Sequence, residues 1–415
     1  MLKHLHPIKR IQKRPYLSGM IILATVLAVL LGFMAYEAQQ SNRSLLSLLS
    51  EKAKNEEDLR IAQEASRSAQ QAYEALKNED QYKINQDLKK NIGDIEKTYT
   101  DSVTAYEDIQ DLKARKQETA DFEKTYISIV QSLGELKYDD AQNKLNDLQE
   151  EIKKLNDKLA AEAAAKAAAA SGGGGGAPAP ASNTPPGSGF SYQSVSTDVG
   201  TFTVSIVAAD LNSTRVIVDT ASDSTCSNDC PVLSLGDYVS RSGAYAGING
   251  SYFCPASYPS CAGKTNSFDT LVMNKNKTYF NSDNNVYSTV PVAIFGSGYA
   301  RFIGASSGWG RDTGVDGVIA NQPLLLSGGN IAFGGGSDPK QGSKGARSFV
   351  GNKGSTVYIG VIYNATVAEM AYVTKSLGMD NALNLDSGGS TALWFGGYKA
   401  GPGRNIPNAI LFVHR

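Results

Sequence analysis

From Glu37 to Ala170 the chain carries no proline and almost no glycine, and its Lys, Glu, Gln and Ala content is that of long helices. Leu145, Leu148, Ile152, Leu155 and Leu159 recur three and four residues apart, as do Phe122, Tyr126, Ile129, Leu133 and Leu136. Between these stripes lies "SLGELKYDDA" (Ser132–Ala141), with Gly134 and a polar kink. Two helices folded back on each other would bury both stripes within one chain. A parallel coiled coil would bury them between chains, so self-association stays open, and the stripes are too short and interrupted to choose. Either way, residues 37–170 read as a helical spacer or stalk. "AAEAAAKAAAA" (Ala160–Ala170) is helical by propensity alone. "SGGGGGAPAPASNTPPGSG" (Ser171–Gly189) then breaks the helix, and its glycine run and Ala-Pro repeat make 171–189 a linker and a domain boundary.

Ahead of the spacer, Lys3, Lys9, Arg10, Lys13 and Arg14 precede an uncharged apolar run, Tyr16–Tyr36, long enough for a bilayer core. A cleaved signal peptide is the rival reading, but "GFMAYEAQQ" offers a poor cleavage site. The expectation is an uncleaved single-pass anchor over 16–36. The basic tail, 1–15, is then cytoplasmic and everything after Tyr36 lies outside. At 415 residues and 41% hydrophobic content the chain has room for more than one unit, and its net charge of −1 favours no nucleic-acid partner.

Glycine, aromatics and all four cysteines crowd into the second half. Residues 190–415 are of single-domain size. "TFTVSIVAADL" and "TRVIVDT" alternate as strands do, and "TVPVAIFG", "GVIANQPLLL" and "STVYIGVIY" are further strand candidates. Thr366 and Glu369 form a capping box for a helix in "TVAEMAYVTKSLG", with Gly378 placed to end it. "NALNLD" reads as a buried strand. The expected class is α+β, strand-rich with few helices, behind a transmembrane helix and a long helical stalk. "CSNDC" (Cys226, Cys230) and "CPASYPSC" (Cys254, Cys261) favour two local disulfides outside the membrane. A four-thiolate zinc site is the rival, and these gaps fit its usual ligand spacing poorly.

The residue inventory removes several chemistries. "DSGGS" invites comparison with a serine protease, yet the three histidines are His4, His6 and His414, none well placed to serve Ser387 or Ser390 as base. Histidine-based zinc hydrolysis fails for the same reason, and no phosphate-binding P-loop pattern occurs. The head has one glutamate, Glu369, which the capping box already explains. Carboxylate chemistry therefore falls to aspartates, and Asp386 stands out at the mouth of a glycine-rich turn. Asp223, Asp269 and Asp316 have no calcium-loop spacing, so no metal site or cofactor is assigned, although a divalent cation is not excluded.

Five strings in order carry a resemblance: "INGSYF", "ARSFVG", "TVAEMAYVTKSLG", "NLDSGGST" and "RNIPNAILFV". Together, spanning most of Tyr245–Arg415, they resemble the phosphodiester glycosidase family. Ser387 stands where that family usually has the first glycine of a triple, and the "CPASYPSC" insertion follows the Asn-Gly turn. The resemblance implies hydrolysis of a sugar joined through its anomeric carbon to a phosphate diester. It marks Asn249, Gly250, Arg347, Asp386, Ser387, Gly388, Gly389, Ser390, Arg404 and Asn408 as site positions. Chemistry then assigns roles to them. Arg347 and Arg404 clamp the phosphate, and Asp386 is the carboxylate near the oxocarbenium centre. Gly388 and Gly389 allow backbone N–H groups to approach. Asn249, Ser390 and Asn408 hydrogen-bond sugar hydroxyls. The expected function is a membrane-anchored extracytoplasmic glycosidase acting on a cell-surface glycan or sugar-phosphate polymer. The alternative is a non-catalytic glycan-binding head on a helical stalk.

Overall fold

The computed structural model describes residues 15–78, 80–170, 180–312 and 314–415, so the basic tail and most of the glycine-rich linker lie outside the described residues. The chain divides into two compact units, Met1–Gly93 and Asp94–Arg415.

The first unit is built on α1 (Pro15–Asn78) and the start of α2 (Asp80–Ala114). Among the described residues α1 is the one helix long and apolar enough to cross a bilayer, and its apolar side chains from Met20 to Tyr36 are exposed. Beyond them, Arg60 pairs with Glu57 at 2.7 Å and with Glu64 at 3.0 Å. Such three- and four-residue spacings support a helix that has little packing to rely on.

In the second unit, the end of α2 packs with α3 (Ala120–Gly134) and α4 (Tyr138–Ala170). Ala105, Ile109 and Leu112 of α2 share a core with Ile129 and Leu133 of α3 and with Leu145, Leu148 and Ile152 of α4. Both sequence stripes are thus buried within one chain, with α2 as a third wall. Leu136 leaves its stripe: it sits in the turn with φ +58° and its side chain is exposed.

The strand-rich part holds three antiparallel sheets. The largest runs in the order Gly189–Thr197, Gly200–Asp210, Thr356–Ala365, Gly345–Lys353, Asn381–Asn384, Leu324–Ser327, Asn330–Ile331. A second sheet orders Tyr398–Ala400, Leu393–Phe395, Ala246–Asn249, Asn408–His414 and Thr214–Thr220. The third is built on Val272–Met273, Gly317–Ala320 and Val292–Gly296, flanked by Tyr279–Phe280 and Tyr299–Ile303. Val207, Val350 and Ile359 of the first sheet meet Val218, Ile248 and Ile410 of the second and Phe295 and Ile319 of the third in one core. The outer face of the first sheet is covered by the helix Val367–Ser376, through Met370, Ala371 and Val373. Buried on both faces, the central strands read as continuous apolar runs.

The capping box is present: Thr366 accepts from the Glu369 N–H, and Glu369 accepts from the Thr366 N–H. "GVIANQPLLL" splits into two strands of different sheets, because Pro323 lacks an N–H and cannot continue a ladder. The end of the expected linker is also more ordered than its composition suggests. Asn183 exchanges two hydrogen bonds with the Ser196 backbone, at 2.9 Å each, and Ala181 bridges to Ser194. Disulfides join Cys226 to Cys230 and Cys254 to Cys261, with Cα separations of 5.7 and 5.3 Å, which leaves no thiolate for zinc.

Candidate active site

Asp386 follows the strand Asn381–Asn384 and is gripped from behind by the Asn-Gly turn. Its N–H donates to the Gly250 carbonyl at 3.0 Å, and its own carbonyl accepts from Asn249 Nδ2 at 2.5 Å. Asn249 Oδ1 accepts from Ser348 Oγ at 2.8 Å and from the Ala392 N–H at 3.1 Å. One buried amide therefore ties together two strands, the residue that leads into Leu393–Phe395 and the Asp386 loop. Asn408 is buried as well, its Oδ1 accepting from the Ser251 N–H at 2.9 Å and its Nδ2 donating to Ser251 Oγ at 3.0 Å. Asn249, Gly250 and Asn408 lie behind the cavity wall and build the loop, rather than facing a ligand.

The positive φ of the glycine turn falls on Gly388, at +63°. Ser387 has extended backbone, with φ −143°, so a side chain there costs nothing. Ser387 Oγ accepts from the Ser348 N–H at 3.2 Å and donates to the Leu385 carbonyl at 3.3 Å. Gly389 packs directly on the Arg404 guanidinium, where a Cβ would collide.

These elements open onto a cavity of about 710 Å³ lined by Asp386, Ser387, Gly388, Ser390, Arg347 and Arg404, with Tyr252, Tyr258 and Lys340. The Asp386 carboxyl is enclosed by protein yet keeps surface open to the cavity, and burial pushes its pKa up to about 7. The Ser390 hydroxyl, the Ser387 N–H at 2.9 Å and, more distantly, Lys340 and Arg347 oppose that rise.

The two arginines differ. Arg347 is buried, and burial lowers its pKa from the usual arginine value. Its Nε donates to the Ala365 carbonyl at 3.1 Å, and Nη2 donates to the carbonyls of Lys340 at 2.7 Å and Ser343 at 2.5 Å. Much of its donor fork is therefore engaged by backbone. Arg404, brought down to about 10 by burial, lies over the Tyr258 ring at 5.1 Å. None of its guanidinium nitrogens makes a hydrogen bond of good geometry, and its charged partner is Asp111 of α2.

Asp111 was not singled out by the sequence, and neither were its neighbours. It accepts from the Tyr258 hydroxyl at 2.6 Å and from the Gly389 N–H at 3.4 Å. Glu107, one turn earlier, pairs with Lys340 at 2.5 Å and accepts from Ser260 Oγ. Asp108 also lines the cavity, and burial raises its pKa to about 6. A signal was present in "EDIQDLKAR" (Glu107–Arg115): the acids at 107 and 111 share a helix face with each other, flanking the buried Ile109 and Leu112. Among the described residues no group of three or more His, Cys, Asp or Glu side chains is placed to hold a metal ion.

Comparison with known proteins bears on this cavity. No curated protein matches the chain. Among solved structures it is similar to a hypothetical protein from Synechocystis, at 13% identity and TM-score 0.39, covering 55% of this chain and 62% of that one. It is also similar to the zebrafish N-acetylglucosamine-1-phosphodiester alpha-N-acetylglucosaminidase catalytic domain, solved auto-inhibited by its pro-peptide. There the identity is 15% and the TM-score 0.41, covering 57% of this chain and 87% of that one. The family described as phosphodiester glycosidase matches residues 242–413, the segment that supplies Asn249, Arg347, Asp386, the glycine turn and Arg404. Over residues 242–413 the chain is similar to the phosphodiester glycosidase family.

Proposed function

We propose that the cavity hydrolyses the bond between a sugar's anomeric carbon and the oxygen of a phosphate diester. The observation that carries this reading is the lining of one cavity by a carboxyl with its pKa near neutrality, a buried guanidinium and a glycine turn. As the glycosidic C–O bond breaks, positive charge builds at the anomeric carbon and negative charge on the departing phosphate. A carboxylate at Asp386 stabilises the first, while Arg404 and the Gly389 N–H stabilise the second. Water then supplies the hydroxyl, and its proton leaves to the phosphate or to solvent. A diester's phosphate departs readily as an anion, so little general-acid help is required. In this reading Arg404 is the clamp. Arg347 is a positioning residue that holds the 340–343 turn and adds positive field at Asp386. Ser390 and Ser387 face the ligand, while Asn249 and Asn408 act through the loop they brace.

The proposed setting is a single-pass membrane protein with its head outside the cytoplasm, acting on a sugar-phosphate polymer or glycan of the cell surface. One N-terminal apolar helix and two disulfides support it. The test is release of free sugar from a panel of sugar-1-phosphodiesters by the full chain and by D386N. Binding without release across the panel would favour a glycan-holding head instead.

A further inference from the structure

The anion seat of the cavity is filled by the chain itself. Asp111 presents two oxygens that share one negative charge, as the two non-bridging oxygens of a phosphate diester do. Those oxygens meet Arg404, the Tyr258 hydroxyl at 2.6 Å and the Gly389 N–H at 3.4 Å. The Arg404 guanidinium is nearly buried, makes no hydrogen bond of good geometry, and has Asp111 as its charged partner, so it needs an anion at this point. One turn earlier, Glu107 fastens the same helix face to Lys340 and Ser260. The loop closed by Cys254–Cys261 supplies Tyr258 and Ser260 to this contact. The insertion that follows the Asn-Gly turn therefore forms a grip for α2.

We propose that this face of the head is a docking surface for an acidic helix, and that α2 occupies it as a built-in competitor of the substrate. It rests on the reading of the cavity as a seat for a phosphate diester. Substrate binding then requires the Asp111 carboxylate to leave Arg404. The observed affinity is the intrinsic one reduced by the fraction of molecules in which the seat is free. Anything that weakens the α2 contact strengthens ligand binding, which is the opposite of what loss of an ordinary binding residue does.

The test titrates dimethyl phosphate, a diester anion with no sugar to release, into the detergent-solubilised full chain by calorimetry. Wild type, D111N and E107Q are compared, with melting temperature as the folding control. D111N is expected to bind on the order of tenfold more tightly, by freeing the seat. E107Q, which loosens the docking without touching the seat, is expected to shift the same way by less. Amide hydrogen exchange over residues 105–112 should accelerate in the wild type as dimethyl phosphate saturates it. Equal or weaker binding by folded D111N overturns the inference, as does absence of binding by all three proteins. Sugar release is assayed separately on the same variants. Diester binding that improves in D111N without any sugar release retires the proposed reaction and keeps the docking. Sugar release by wild type and D111N alike, with no gain in binding, does the reverse.

Discussion

At Asp386 the surroundings act against the charge that the proposed chemistry needs. Burial raises its pKa to about 7, above the ordinary 3.8, so the folded protein holds a proton that the unfolded chain has already lost over that window. Two outcomes follow from the sign. If the carboxylate is the working form, kcat/KM rises with pH through about 7, and D386N lowers it by roughly 10²–10⁴-fold and removes the inflection. A pH–rate profile of both proteins checks this, and an unchanged inflection in D386N would assign it to another group. Stability moves the other way: wild type loses stability as pH climbs from about 4 to 7, because folding then buries a charge. D386N should therefore melt higher than wild type at pH 8 and level with it at pH 3.5. Beside it, Gly388 combines a φ of +63° with an Asp111 oxygen 2.9 Å from where a Cβ would stand. G388A is expected to lose about 1–2 kcal/mol from the left-handed backbone alone, read by denaturant titration. Ser387, with extended backbone, should accept glycine or alanine with little change in stability.

Among the elements, the Cys254–Cys261 loop is held less by a core than by its cross-link. Replacing both cysteines by serine should cost roughly 2–3 kcal/mol of stability, the chain-entropy value for so short a loop. It should also relax the Tyr258 and Ser260 contacts to α2, which hydrogen exchange at residues 105–112 would report. The extent to which such elements were legible in sequence follows from what holds each one. The helix after Thr366 was readable because its cap, its glycine stop and its apolar face are all local signals. Thr214–Thr220 was readable because its residues carry the strand pattern themselves. The fate of "GVIANQPLLL" was not, since the two halves look alike and their sheets are chosen by distant partners, Met273 and Leu383. The site divides in the same way. Asp386 and the glycine turn were visible as a motif. The engagement of Asn249 and Asn408 by backbone depends on chain segments far apart in sequence. That of Arg347 by the carbonyls of Lys340, Ser343 and Ala365 depends on how the nearby turn and the neighbouring strand fold back on it. Asp111 was least visible of all. Its helix reads as a spacer, and its partner Arg404 lies at the other end of the chain.

For the molecule as a whole, the helical region assigned by sequence to one spacer contributes to both compact units. Residues 94–170 belong with the strand-rich part, and the earlier helix forms a unit of its own. In α1 the stretch from Met20 to Tyr36 exposes Leu23, Val29, Phe33 and Met34 with nothing packed on them, a surface that costs free energy in water and none in lipid. The proposed arrangement, with residues after Tyr36 outside the cytoplasm, also explains why both cysteine pairs are disulfides. It yields a direct expectation for cells making the full chain with a tag at each terminus. The protein should stay in the membrane fraction through an alkaline carbonate wash. Protease added outside intact cells should destroy the C-terminal tag and spare the N-terminal one. Loss of the protein into the wash would remove the anchor, and the opposite protection pattern would invert the topology. The inverted topology would place the cavity in a compartment where surface glycans are not its substrates, leaving the reaction itself to be judged on soluble sugar phosphates.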